Sequence, residues 1–128
     1  PLVTQKVVAK VLDTIDYDAH LENVRKVYKT KCDALLNAFN KYASSKVKLT
    51  QPTGGMFAWM TMPEDVNCDE FFEACMDRNI GIIKCGAFAA DGAGEGHAFR
   101  LSYTVPTVEE ITKGMEILGA LTKEFCGE

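Results

Sequence analysis

Apolar and polar positions along this chain follow two rhythms, one near the helical 3.6 residues and one of two residues, and the changes between them mark out its elements. In residues 4–15, Val7, Val8, Val11, Leu12 and Ile15 recur at spacings of three and four, which predicts a helix starting near Pro1. Asp16-Tyr17-Asp18 breaks the pattern, and Asp18 is placed to cap the next helix. From Asp18 to about Ala43, a second stripe of Leu21, Val24, Tyr28, Leu35, Phe39 and Tyr42 predicts the longest helix, with lysines 26, 29, 31 and 41 on its other faces. The stripe lapses at Lys31 and is too short for a coiled coil, so it reads as core packing.

Residues 47–50 predict a short strand, closed by Gln51-Pro52-Thr53-Gly54-Gly55, a turn whose glycines accept positive φ. Residues 56–62 hold two aromatics and no charge and are bounded by Pro63, the pattern of a central strand covered on both faces. A helix over 69–78 comes next, with Asn67 as N-cap, Glu70 in the first turn and Phe71, Phe72, Cys75 and Met76 as its buried stripe. Cys75 thus reads as a core residue. A strand over 80–84, a small-residue loop over 86–97 and a strand over 99–103 complete the sheet. Thr107-Val108-Glu109-Glu110 is a capping box, opening a last helix that buries Ile111, Met115, Leu118, Leu121 and Phe125. The order α, α, β, β, α, β, β, α predicts a two-layer α+β domain.

The segment 99–103 carries the candidate chemistry. Strand alternation puts Phe99, Leu101 and Tyr103 on one face and Arg100, Ser102 and Thr104 on the other. A guanidinium among apolar neighbours is costly unless an anion meets it, and its planar fork suits a carboxylate. The plain alternative is an arginine in a structural ion pair or at the surface. The glycine-rich loop that leads into the strand favours a ligand site, because loops at strand ends are where ligands are received.

Composition narrows the classes of function. The 128 residues are 47% hydrophobic and 25% charged, as in one globular domain, and a net charge of -4 gives no basis for binding nucleic acid. Five scattered cysteines without a C-x-x-C pair fit a reduced compartment, and neither His20 nor His97 stands at metal-ligand spacing with any of them, so no metal site is expected. No apolar run is long enough to span a bilayer, and no secretory signal is visible; the expected location is the cytoplasm, with no membrane partner. Because the first residue is Pro1 rather than methionine, a fragment or processed product is expected.

Taken in order, the motifs Gln51-Pro52-Thr53-Gly54-Gly55-Met56-Phe57-Ala58-Trp59, Ile80-Gly81-Ile82, Gly86-Ala87-Phe88, Asp91-Gly92 and Phe99-Arg100-Leu101-Ser102-Tyr103, succeeded by a capped final helix, resemble the C-terminal part of class I/II, fold-type-I aminotransferases. The pattern is most similar to the kynurenine/2-aminoadipate multi-substrate group. The resemblance implies a small domain: a short, mostly antiparallel sheet with helices on one face over 17–128, preceded by a connecting helix over 1–16 from a large domain. It implies a parent enzyme that moves an amino group between an amino acid and a 2-oxo acid through pyridoxal phosphate, as a homodimer. Arg100 would hold the substrate α-carboxylate, with Phe57 and Phe88 near the substrate side chain. Cys85 departs from the family pattern, which has proline before the loop glycine. Lys84 falls just before the substrate loop, the wrong place for the cofactor lysine, and reads as a strand-end surface lysine. The groups that bind the cofactor match nothing here, so the chain alone is expected neither to bind pyridoxal phosphate nor to transaminate. The competing expectation is a free-standing amino-acid-binding or regulatory module.

Overall fold

A computed structural model describes residues 1–90 and 96–128. The elements follow the expected order: α1 (Leu2–Thr14), α2 (Tyr17–Tyr42), β1 (Lys48–Leu49), β2 (Phe57–Thr61), α3 (Cys68–Asp77), β3 (Ile83–Lys84), a 3-10 turn (Cys85–Phe88), β4 (Ala98–Ser102) and α4 (Val108–Cys126). The Asp91-Gly92 motif lies outside the described residues.

The strands form one antiparallel sheet in the order β1-β2-β4-β3. Ala58 opposes Leu101 and Met60 opposes Phe99, and these four are buried on the side that meets the helices. Phe71 of α3 completes that layer, 5.4 Å from the ring of Phe99 and 5.4 Å from that of Phe125 in α4. The chain is therefore the expected two-layer α+β unit, with α2, α3 and α4 on one face of the sheet.

Local chemistry sets the helix ends. Thr107 and Glu110 exchange both hydrogen bonds of the capping box, and α4 stops at Gly127 in the left-handed region with φ 70. Asn67 caps α3 by accepting from the backbone N–H groups of Asp69 and Glu70 and donating to the Glu70 carboxylate. Where α2 and α4 cross, Gly119 lets the Tyr42 backbone in; a Cβ there would lie 2.6 Å from the Tyr42 carbonyl oxygen. Thr122, fully buried nearby, accepts from Ser44 N–H at 2.9 Å and donates to Gly119 O at 2.7 Å, so its hydroxyl is satisfied.

Four details differ from the sequence expectations. Asp16, not Asp18, caps α2, accepting from Ala19 N–H; its backbone is still extended, whereas Asp18 already lies in the first turn. β2 is not covered on both faces: Ala58 and Met60 are buried, but Phe57 and Thr61 stand exposed on an open face. Strand pairing after α3 is confined to Ile83–Lys84, because the chain first turns through Asn79 at φ 58. Met76 lies outside the buried stripe of α3, at 49% exposure.

α1 contributes no buried residue, and Val7, Val8, Val11 and Leu12 are 43–55% exposed. No described helix is long and apolar enough to cross a membrane.

Candidate functional site

The open face of the sheet is built by alternation. Phe57 and Trp59 of β2 and Arg100 and Ser102 of β4 point away from the helices, with Trp59 directly opposite Arg100 and Phe57 opposite Ser102. On the other side of β4, Ile83 also opposes Arg100. The 3-10 turn closes with Ala89 N–H donating to Gly86 O at 3.2 Å, and it brings Phe88 over this face.

The outcome is an aromatic slot. The guanidinium carbon of Arg100 lies 4.0 Å from the centroid of the Phe57 ring and 4.4 Å from that of Phe88. Trp59 meets Phe88 edge to face, with centroids 5.6 Å apart and planes at 87°. Arg100 Nε is buried and has no hydrogen-bond partner among the described residues. None of the ion pairs among the described residues involves Arg100. A charged group flanked by aromatic rings, with a donor left without a partner among the described residues, is suited to receive an anion, since an unpaired buried donor carries a cost of about 1–3 kcal/mol.

Neighbouring contacts fix the frame. Trp59 N–H donates to Thr50 Oγ1 at 2.9 Å and its carbonyl accepts from Thr50 N–H at 2.9 Å. The Tyr103 hydroxyl donates to Gly55 O at 2.9 Å, tying the end of β4 to the glycine turn, where Gly55 takes φ 85. Burial pushes the Tyr103 hydroxyl's pKa up from its usual value.

Lys84 opposes the core residue Phe99, pairs with Asp69 and sits 4.7 Å over the Phe72 ring, on the helix side of the sheet. Lys48 opposes Thr61 and so shares the open face, but in the edge strand beyond β2. Neither lysine stands beside Arg100 in the sheet. Cys75 is fully buried and its thiol pKa is pushed up to about 12 by burial, which makes it a core residue as the sequence indicated. A groove of about 580 Å³, lined by Tyr28, Cys32, Leu36, Pro52, Met56 and Tyr103, lies on the helix side rather than at Arg100.

The three residues singled out from the sequence, Arg100, Phe57 and Phe88, are brought together. Sequence reasoning missed Trp59 as their neighbour, although its parity with Phe57 along one strand carried the signal. It also missed the meeting of Cys68 and His97, whose Sγ and Nδ1 lie 3.4 Å apart though 29 residues separate them in the chain. Among the described residues no group of three or more metal-ligating side chains is assembled.

No protein-family model matches the chain. The 2-aminoadipate transaminase of Thermus thermophilus is 34% identical over 123 residues, 96% of this chain and 30% of that protein. The crystal structure of LysN, alpha-aminoadipate aminotransferase, from Thermus thermophilus, complexed with N-(5'-phosphopyridoxyl)-L-leucine, superposes with a TM-score of 0.89 at 32% identity, over 99% of this chain and 32% of that one. The multiple substrate aminotransferase of Thermococcus profundus gives a TM-score of 0.79 at 28% identity, over 86% and 27%. An uncharacterized HTH-type transcriptional regulator of Bacillus subtilis, YdfD, is 26% identical over 97% of this chain and 25% of its own length. The chain thus spans about 30% or less of the curated relatives it matches. In sequence and in fold alike, it corresponds to the C-terminal small domain of fold-type-I, pyridoxal-phosphate-dependent aminotransferases.

Proposed function

We propose that this chain is the substrate-recognising small domain of an aminotransferase, residues 1–16 connecting it to a large domain and 17–128 forming the domain itself. The single observation that carries this reading is the guanidinium of Arg100 lying 4.0 Å from the Phe57 ring centroid and 4.4 Å from that of Phe88 on the open face of the sheet. Crowded by the two rings, the guanidinium would present its N–H groups in plane, the geometry that matches the two oxygens of a carboxylate. Amino acids and 2-oxo acids, the proposed substrates, both carry that group. Phe57 and Phe88 would hold apolar parts of the substrate and exclude water around the ion pair, which strengthens it.

The parent would be a homodimer using pyridoxal phosphate, which when bound supplies the electron sink for amino-group transfer. Arg100 would orient the substrate's α-carbon by fixing its carboxylate. The lysine and phosphate contacts for the cofactor would come from the large domain, and the 128-residue chain alone is proposed not to transaminate. After incubation with pyridoxal phosphate and dialysis it is predicted to retain no cofactor absorbance; a persistent band would count against this. A free-standing amino-acid-binding or regulatory module is not favoured, because the relatives match this chain over only part of their length.

Amino-group transfer by the longer native polypeptide tests the reading. Charge-assisted hydrogen bonds are worth about 1.5–3 kcal/mol, so Arg100→Ala is predicted to lower kcat/KM by roughly 10- to 100-fold with cofactor absorbance unchanged. Unchanged kcat/KM would overturn the role given to Arg100.

A further inference from the structure

We infer that Trp59 is a positioning residue for Arg100, acting through Phe88, and that together they make the slot selective for planar anions. This deepens the proposed carboxylate site and rests on that reading.

The two rings that flank the guanidinium are not held equally. Phe57 belongs to the five-residue strand β2, fixed by its ladder with β4. Phe88 ends a four-residue 3-10 turn and is 46% exposed, so its own backbone restrains it little. Its described aromatic neighbour is Trp59, edge to face at 87°. Trp59 in turn is held on both sides, by the β4 ladder opposite Arg100 and by its paired hydrogen bonds to Thr50. Trp59 therefore carries the rigidity of the sheet to the less restrained side of the slot, at the register position of the arginine itself.

The slot has a chemical consequence. Rings with centroids 4.0 and 4.4 Å from the guanidinium carbon crowd it, and in the slot inferred here the approach left to an anion is along the plane of the fork. A carboxylate lies flat in that plane. A tetrahedral phosphonate places at least one oxygen out of it, against the negative face of a ring. If Phe88 is released, this discrimination is lost along with the alignment of the fork.

The test follows the Arg100 Nε–H signal by NMR in the ¹⁵N-labelled 128-residue chain and titrates acetate and methylphosphonate. Wild type is expected to show this signal shifted upfield by the two rings, and to bind acetate in preference to methylphosphonate. Trp59→Leu keeps apolar bulk and so keeps the fold; it is expected to return the signal towards that of a free arginine and to reduce the preference about 3- to 10-fold, the worth of one aromatic pair. Trp59→Phe restores an edge for Phe88 and is expected to recover both. A Trp59→Leu chain with the wild-type signal overturns the inference, as does a Trp59→Phe chain no better than Trp59→Leu. Failure of wild type to bind either anion, with the ring-shifted signal still dependent on residue 59, contradicts the carboxylate reading while supporting the positioning role.

Discussion

An arginine beside two phenylalanines in space is a different chemical object from an arginine alone in a strand. Its charge is retained, but rings so close restrict the directions from which an anion can approach, and in the proposed site the fork rather than the charge is the recognising feature. Arg100→Lys is accordingly predicted to weaken carboxylate binding about tenfold although the charge remains, because an ammonium lacks the two parallel donors. Calorimetric titration of 3-phenylpropionate checks this, and equal affinity would show that charge alone suffices. The arginine was legible in the sequence because strand parity and its apolar surroundings marked it as costly. Its clamp was not, since Phe88 reaches it from a turn whose path depends on tertiary contacts. Cys75 is a second residue whose environment sets its chemistry. The free thiol ionises near 9.0 and the folded one near about 12, so folding favours the protonated form. That contribution is complete below pH 9.0 and is lost as pH rises towards about 12, because the unfolded chain gains the thiolate that the core refuses. Denaturant melts at pH 8 and pH 10 are predicted to show a larger alkaline loss of stability for wild type than for Cys75→Ala; equal losses would refute it.

Among the elements, those with local signals were the easiest to read. The capping box of α4 and the Asn67 cap of α3 are side-chain-to-backbone chemistry within four residues, and both are present as expected. Thr107→Ala is predicted to cost about 1 kcal/mol in a denaturant titration, through loss of the cap. Features that depend on partners were harder. β2 reads as doubly buried because Phe57 and Trp59 are aromatic, yet these residues lie on the open face of the sheet and not in the core. Pairing after α3 is shorter than its apolar run, because Ile80, Gly81 and Ile82 lead out of the turn at Asn79 before the ladder begins. The α2–α4 contact depends on a glycine that the helical stripe did not single out. Gly119→Ala would drive a Cβ to 2.6 Å from the Tyr42 backbone and is predicted to destabilise the fold by about 1–3 kcal/mol despite alanine's better helix propensity. Thermal unfolding of the two proteins checks this; a more stable variant would show that the helices separate freely.

At the scale of the whole molecule, one face of the sheet forms the core with the helices, the other presents the slot, and α1 stands outside both. Because α1 buries none of its side chains, the double substitution Val8→Asp, Val11→Asp is predicted to leave the unfolding midpoint within about 2 °C of wild type; a larger fall would mean that α1 packs against the domain. The same exposure fits a helix whose apolar side serves a larger assembly, as proposed from relatives more than three times as long as the matched segment. An antibody raised against this chain is predicted to detect a native polypeptide several times its size, and a species of 14.1 kDa would contradict that proposal. Recognition of a carboxylate at Arg100 is the property on which the proposed function stands, and the chain carries its own reporter for it. Trp59 is its single tryptophan and lies directly opposite the arginine. The decisive experiment is the fluorescence of Trp59 during titration with 3-phenylpropionate, in wild type and Arg100→Ala. A saturable change is predicted in wild type, with an affinity that falls roughly 10- to 100-fold in the variant. Equal responses in the two proteins, or none in wild type, would contradict carboxylate recognition at this arginine.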